Sequence, residues 1–272
     1  MPELPEVETV RRMIEPAMTG ARFRRVIVNR PDLRIPFPEK FVDRLRGMTV
    51  DAVTRRGKYL IIPLSSAETL IIHLGMSGWF HVAATGDHTR DADPHDHVIF
   101  VMSSGRTIVF NDPRRFGFMD LAVAGALDDY RSLRVMGPEP LSPEFDAASL
   151  ARACRGKSTS IKAALLDQRV VSGLGNIYAS EALHLAKTSP LRKASSLATK
   201  PGKAKPQTAA LAKAIKTVLL RAIRRSESPY RAGRFRVYER EGRPCPRKGC
   251  GGTIKRITQA GRSTFYCPGC QH

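Results

Sequence analysis

Apolar residues recur along this chain with two different periods, and the change from one to the other divides it. Near the start Val7, Val10 and Ile14 fall at helical spacing and predict an amphipathic helix. Pro5 suits its first turn, and Glu6 and Glu8 favour the positive end of the helix dipole. Residues 21–29 and 49–64 are rich in β-branched side chains and read as extended. Between them Phe41 and Leu45 lie on a short helix closed by Gly47. Further strands are predicted over 69–74, 79–83, 97–103 and 107–111, the last two flanking the turn residues Ser104-Gly105. Many short strands with few helices predict a two-sheet sandwich over residues 1–136.

Gly137-Pro138-Glu139-Pro140 interrupts all regularity and marks a hinge before a helical region, 137–236, and a tail, 237–272. The first helix of that region begins near Ser142, with Pro143 in its first turn and an apolar face that includes Phe145 and Leu150. A second carries Ile161, Leu165 and Leu166, and a third carries Ile177 and Leu183. Gly173 and Gly175, just before the third, permit a compact double turn. Backbone N–H groups at a helix start can hold a phosphate there, although a Gly-x-Gly by itself is weak evidence and more often a plain turn. Residues 187–208 have no acidic residue and read as a mobile basic linker. Leu211, Ile215, Val218, Leu219 and Ile223 then stripe a longer helix, and no internal repeat is found.

Charge changes this picture more than composition does. The net charge of +20 is confined to one part: residues 1–150 hold 19 Lys/Arg and 20 Asp/Glu, whereas 151–272 hold 26 and 5. Such an excess repels itself unless a polyanion faces it, which predicts a nucleic-acid partner over a merely solvated basic surface. No apolar run approaches membrane length, so no membrane partner is expected. With no secretory signal before Pro2, and only five cysteines of which four are paired by spacing, no disulfide framework is expected and a cytoplasmic location is.

Those four cysteines, Cys245-x4-Cys250 and Cys267-x2-Cys270 with 16 residues between the pairs, offer four thiolates to one tetrahedral zinc ion. No position is left for water, so the zinc is structural. The fifth, Cys154, is expected in a core. Between the pairs, residues 259–262 read as a hairpin tip that presents Arg262 outward. At the other end of the chain, removal of Met1 would leave Pro2 with a free secondary amine. An α-amino group titrates near 8, about two units below lysine, so far more of it is available as a nucleophile. Its adduct with an aldehyde-like carbon is an iminium with no N–H to lose, which acidifies the neighbouring carbon and favours elimination. Glu3 is placed to act as general acid or base. The plainer alternative is a capped helix and nothing more.

Taken together, PELPEVETVRR at 2–12, RGKYL at 56–60, HLGMSG at 73–78, HDHV at 95–98, DPRRFG at 112–117, GPEPLS at 137–142, GLGNIYASEAL at 173–183 and the cysteine pairs resemble the formamidopyrimidine-DNA glycosylase family. The resemblance spans most of the chain. It implies an α+β fold with an N-terminal β-sandwich and leading helix, a helix-two-turn-helix domain and a C-terminal zinc finger. The activity implied is excision of oxidised purines followed by β,δ-elimination at the abasic site, with double-stranded DNA as partner, acting as a monomer in the bacterial cytosol. Endonuclease VIII-type relatives carry glycine where this chain has Leu4, and prefer oxidised pyrimidines.

By position, the resemblance makes Pro2 the Schiff-base nucleophile, Glu3 the proton donor that opens the sugar, Lys58 the proton-transfer group of β-elimination and Arg262 that of δ-elimination. It puts His95, Arg114, Lys157 and Asn176 on DNA. Met76, Arg114 and Phe116 fill the gap left when the damaged nucleotide is everted, although core packing would equally explain Met76 and Phe116. His73 and His97 are expected to be structural. Two departures stand out. The x4 spacing replaces the family's usual x2 and is expected to alter only the knuckle. Residues 226–234 replace a longer glycine-containing loop that covers everted 8-oxoguanine, which predicts weaker selectivity for that lesion. A broader, endonuclease VIII-like lesion range and a non-catalytic zinc-ribbon DNA-binding protein are the competing readings.

Overall fold

The computed structural model describes residues 2–84, 93–123, 125–127, 129–199, 201–225 and 235–272. The chain forms two compact units, Met1–Arg134 and Val135–His272. The short segment 226–234, with Tyr230, lies outside the described residues.

The first unit opens with α1 (Leu4–Met18), on which Val7, Val10 and Ile14 are fully buried, as their spacing predicts. Glu3 is its N-cap, and the Glu3 N–H donates to Glu6 Oε2 at 2.8 Å. Behind it lie two four-stranded antiparallel sheets. One consists of β1 (Phe23–Val28), β5 (Trp79–Ala84), β6 (Asp96–Met102) and β7 (Arg106–Asn111), ordered β1-β6-β7-β5. The other consists of β2 (Thr54–Arg56), β3 (Tyr59–Pro63), β4 (Thr69–His73) and β8 (Phe118–Ala122), ordered β2-β3-β4-β8. Phe80, Phe100 and Phe110 from one sheet and Leu60, Ile72 and Met119 from the other share one core with α1 and the short helix α2 (Phe41–Leu45). The sandwich is thus the one the alternating pattern predicts. Two details differ. The extended stretch 49–64 is broken into β2 and β3 by a turn at Gly57-Lys58, with Gly57 at φ +58°. Strand β8 was not predicted.

The second unit follows a short helix α3 (Arg131–Arg134) and holds α4 (Ala147–Cys154), α5 (Ile161–Leu166), α6 (Asn176–Leu185), α7 (Pro206–Arg224) and a hairpin of β9 (Lys255–Gln259) and β10 (Arg262–Tyr266). The helix expected from Ser142 starts later. Asp146 is its N-cap, accepting from the Ser149 N–H at 2.7 Å, and Pro143 lies outside it. Phe145, just before the cap, is buried in one core with Leu150, the arrangement of a hydrophobic staple. The expectation of a mobile linker over 187–208 is also corrected. Within it Ala194–Leu197 form a 3-10 turn that buries Ala194 and Leu197 in the helical core, while Lys187, Lys193 and Lys203 are exposed. A basic composition hid those few apolar anchors. No helix of the described residues is long and apolar enough to cross a membrane.

Candidate active site and zinc centre

At the N-terminus Pro2 and Glu3 are both buried, Glu3 to 2% exposure, immediately before the first turn of α1. The sequence explains Glu6 and Glu8 by the helix dipole, but the fold gives each a specific partner. Glu6 holds the Glu3 amide, and Glu8 receives Arg11 at 3.0 Å, Arg12 at 2.9 Å and, from β2, Arg55 at 3.3 Å. Burial alone would raise the Glu8 pKa. Hydrogen bonds from Arg11 and Arg12 and the charges of Arg11 and Arg55 outweigh it and hold the carboxyl below its ordinary range. Arg55 NH1 also donates to the Gly57 carbonyl at 2.9 Å, so this network joins α1 to the turn that carries Lys58. Lys58 is itself buried, and its charge is felt at His73. There burial first, and then Lys58 and Arg34, lower the imidazole to about 4, leaving Nδ1 free of a proton to accept the Gly75 N–H at 3.0 Å.

Arg114 and Phe116 stand together on one rim of the sandwich, and the loop that carries Met76 adjoins them through Gly75 and Ser77. Met76 and Phe116 are 37% and 42% exposed, which argues against core packing, and the Arg114 guanidinium stands 5.0 Å from the Phe116 ring centroid. The rim is braced by Asp112, which sequence reasoning passed over. Asp112 is fully buried; its carboxylate accepts from Ser77 Oγ at 2.5 Å and from the Gly117 N–H at 2.8 Å, while Ser77 Oγ accepts from the Arg114 N–H at 3.1 Å. Gly75 completes the brace by absence of a side chain: a Cβ there would sit 2.2 Å from Gly117 N and from the Phe116 carbonyl carbon. His95 belongs to the same corner, its carbonyl accepting the Asp112 N–H at 3.0 Å. His97 is buried and shares a hydrogen bond with the Asp112 carbonyl at 3.0 Å, in keeping with a structural role.

The remaining expected residues lie in the second unit. Lys157 is partly exposed, its Nζ 3.9 Å from Asp167 Oδ2. Asn176 is the first residue of α6, after a double turn in which Gly173 has φ +75° and Gln168 both accepts the Gly173 N–H at 2.8 Å and donates to the Leu174 carbonyl at 2.9 Å. Arg262 is exposed at the hairpin tip, paired with Gln259 across the two-residue turn Ala260-Gly261, both at positive φ. What joins these two places is Lys162, a fully buried lysine that sequence reasoning did not single out. Its Nζ donates to Asn176 Oδ1 at 2.6 Å, to the Ser263 carbonyl at 2.9 Å and to Thr264 Oγ1 at 2.8 Å, and Asn176 Nδ2 donates to the same Ser263 carbonyl at 3.0 Å. One signal could have found it: Lys162 stands three and four residues before Leu165 and Leu166, on the side of α5 that the apolar spacing turns inward.

The sulfurs of Cys245, Cys250, Cys267 and Cys270 lie within 4.8 Å of one another. Burial first, then the neighbouring sulfurs, raise the Cys267 thiol to about 12, and burial also raises Cys270, whereas a backbone hydrogen bond from Gly252 lowers Cys250; four thiolates held this close repel one another and require a compensating cation. Space is kept for the cluster by Gly252, where a Cβ would stand 2.7 Å from Cys267 Sγ. The donor set, closeness and charge fit one structural zinc ion. Cys154 is buried in the helical core, as expected, and burial pushes its thiol up to about 11.

Three family models match the chain: the formamidopyrimidine-DNA glycosylase N-terminal domain over residues 1–119, the formamidopyrimidine-DNA glycosylase H2TH domain over 136–232, and the zinc finger found in FPG and IleRS over 242–272. Among curated proteins, the formamidopyrimidine-DNA glycosylases of Rhodopseudomonas palustris BisA53 and Bradyrhizobium diazoefficiens are 55% and 54% identical, each aligned over the whole of both chains. Among solved structures, Lactococcus lactis formamidopyrimidine-DNA glycosylase bound non-covalently to DNA with an abasic site is 32% identical, with a TM-score of 0.87 over 99% of each chain. MutM in complex with DNA containing carbocyclic 8-oxoguanine is 33% identical, with a TM-score of 0.87 over 100% of each.

Proposed function

Because the chain belongs to the formamidopyrimidine-DNA glycosylase family, we propose that it is a bifunctional DNA glycosylase and abasic-site lyase of base excision repair. Its substrate is double-stranded DNA carrying formamidopyrimidines, 8-oxoguanine or an abasic site, and it works as a monomer in the cytoplasm, where bacterial DNA lies. The observation that carries the assignment is the buried Pro2-Glu3 pair set against α1, with the Glu3 amide locked to Glu6.

The chemistry follows from that pair. Once Met1 is removed, the Pro2 nitrogen attacks the first carbon of the damaged nucleotide's sugar, the glycosidic bond breaks with its electron pair leaving on the base, and the proton shed by the nitrogen neutralises the departing base. Glu3, buried beside Pro2, protonates the ring oxygen as the sugar opens to the iminium. The iminium acidifies the adjacent carbon. Loss of that proton, with Lys58 as the transfer group, expels the 3′ phosphate. A second elimination, with Arg262 as the transfer group, expels the 5′ phosphate. Met76, Arg114 and Phe116 take the place of the everted nucleotide, an adaptable thioether and an aromatic ring restoring stacking while the guanidinium bonds the widowed base. His95, Lys157 and Asn176 bind the backbone. Zinc, when bound, is held by the four cysteines and organises the finger without an open coordination position for chemistry.

Borohydride reduction of the iminium tests the proposal. Met1-free protein incubated with abasic or 8-oxoguanine duplex should yield a covalent protein–DNA adduct, and retention of Met1 or Pro2→Gly should greatly weaken it. No adduct from correctly trimmed protein would leave a non-catalytic DNA-binding protein.

A further inference from the structure

The last turn of α6 meets the cysteine cluster through a side chain for which the reaction above has no use. His184 is fully buried, and its Nε2 lies 3.4 Å from Cys245 Sγ. A metal-bound cysteine is a thiolate and can only accept, so the contact requires Nε2 to carry the hydrogen and Nδ1 to be bare. Nδ1 is buried and finds no hydrogen-bond partner among the described residues. A bare acceptor tolerates that state at lower cost than an orphaned N–H, so both ring nitrogens favour the same tautomer.

The contact is returned from the other side. Arg247, inside the lengthened Cys245-x4-Cys250 knuckle, donates to the His184 carbonyl and, at 3.5 Å, to the Leu185 carbonyl, among the last carbonyls of α6. The knuckle between Cys245 and Cys250 therefore reaches beyond itself, to the end of α6. Four thiolates around one dication leave net negative charge on the sulfurs, and N–H donors aimed at them spread that charge and fix the ligands in place.

We propose that His184 belongs to the outer shell of the zinc site, donating to the Cys245 thiolate, while Arg247 fastens the knuckle to the last carbonyls of α6, so that zinc retention and seating of the finger on α6 are coupled. Neither contact depends on which base the enzyme removes.

Zinc release from the full-length, zinc-loaded protein to an excess of chromogenic chelator tests this. His184→Phe keeps a ring and removes the donor, and should release zinc about tenfold faster than wild type, the lower end of what loss of an outer-shell partner costs a metal site. His184→Gln keeps an N–H at similar reach and should stay near the wild-type rate. In the cobalt-substituted protein the sulfur-to-metal charge-transfer band should shift in His184→Phe and not in His184→Gln. Wild-type release and an unshifted band in His184→Phe, or a His184→Gln that behaves like it, would reduce His184 to a packing residue. Should His184→Phe fail to fold, imidazole nitrogen–proton correlation spectra of the wild-type zinc protein decide. Protonated Nε2 with bare Nδ1 is expected, and the opposite tautomer overturns the proposal.

Discussion

Replacing Lys162 by methionine keeps the length and the apolar stem but removes the ammonium that ties α5 to α6 and to the hairpin. The Ser263 carbonyl retains Asn176 Nδ2 at 3.0 Å, whereas Asn176 Oδ1 and Thr264 Oγ1 lose their lysine donor inside a buried site. Each acceptor left without that donor costs about 1–3 kcal/mol. Removing a desolvated cation returns part of this, so the net loss should be about 2 kcal/mol. For a unit of this size that lowers the melting temperature by about 5–10 °C. Ser263 adjoins Arg262, so slack at the base of the hairpin should reach the second elimination before it reaches base removal. On abasic duplex, denaturing gels should show β-elimination product accumulating at the expense of the δ product, in the direction of Arg262→Ala but less completely, and on 8-oxoguanine duplex excision of the base should be largely kept. A Lys162→Met protein with the wild-type melting temperature and product ratio would refute the reasoning, since it would mean that the buried network positions nothing.

Stability should also depend on pH through His73. Its pKa falls from 6.5 to about 4 on folding, so the unfolded chain binds the proton more tightly, and the stabilising contribution is complete above pH 6.5 and lost as the pH drops toward 4. The loss should approach about 3 kcal/mol. Urea unfolding between pH 4 and 7.5 should show it, and His73→Asn, which keeps an acceptor for the Gly75 N–H, should flatten the profile; an unchanged profile would acquit His73. For DNA binding, neutralisation of about five phosphates gives log K a slope of roughly −4 to −5 against log salt, and Lys157→Ala should flatten it by about one. An unaltered slope would take Lys157 off the DNA, leaving it to its ion pair with Asp167. The short segment 226–234 offers few residues to enclose a flipped base. Single-turnover excision of 8-oxoguanine should therefore be less favoured over formamidopyrimidine, with abasic cleavage spared. Fast, strongly preferred 8-oxoguanine excision by both wild type and Tyr230→Ala would contradict this.

Much of this protein is legible in its order of residues because the relevant physics is local. The stripe Val7-Val10-Ile14 specifies a helix face within three turns, Ala260-Gly261 specifies a two-residue hairpin, and the cysteine spacings bring thiolates together on one short clip. The nucleophilic potential of Pro2 is likewise a property of one residue and its place in the chain. Other features have no local signature. Nothing within a few residues of Lys162 announces Ser263 and Thr264, 101 and 102 positions away, and nothing beside His184 announces Cys245, 61 positions away. Asp112 looks like a turn residue until Ser77 arrives from another loop to share its carboxylate. Composition misled where a few apolar anchors, Ala194 and Leu197, outweighed a run of cations. A polar side chain in sequence is equally ready to meet water or a partner. Only the packed structure removes the water, and with it the choice, so the buried partners of Lys162, His184 and Asp112 were decided by tertiary contacts and by nothing earlier.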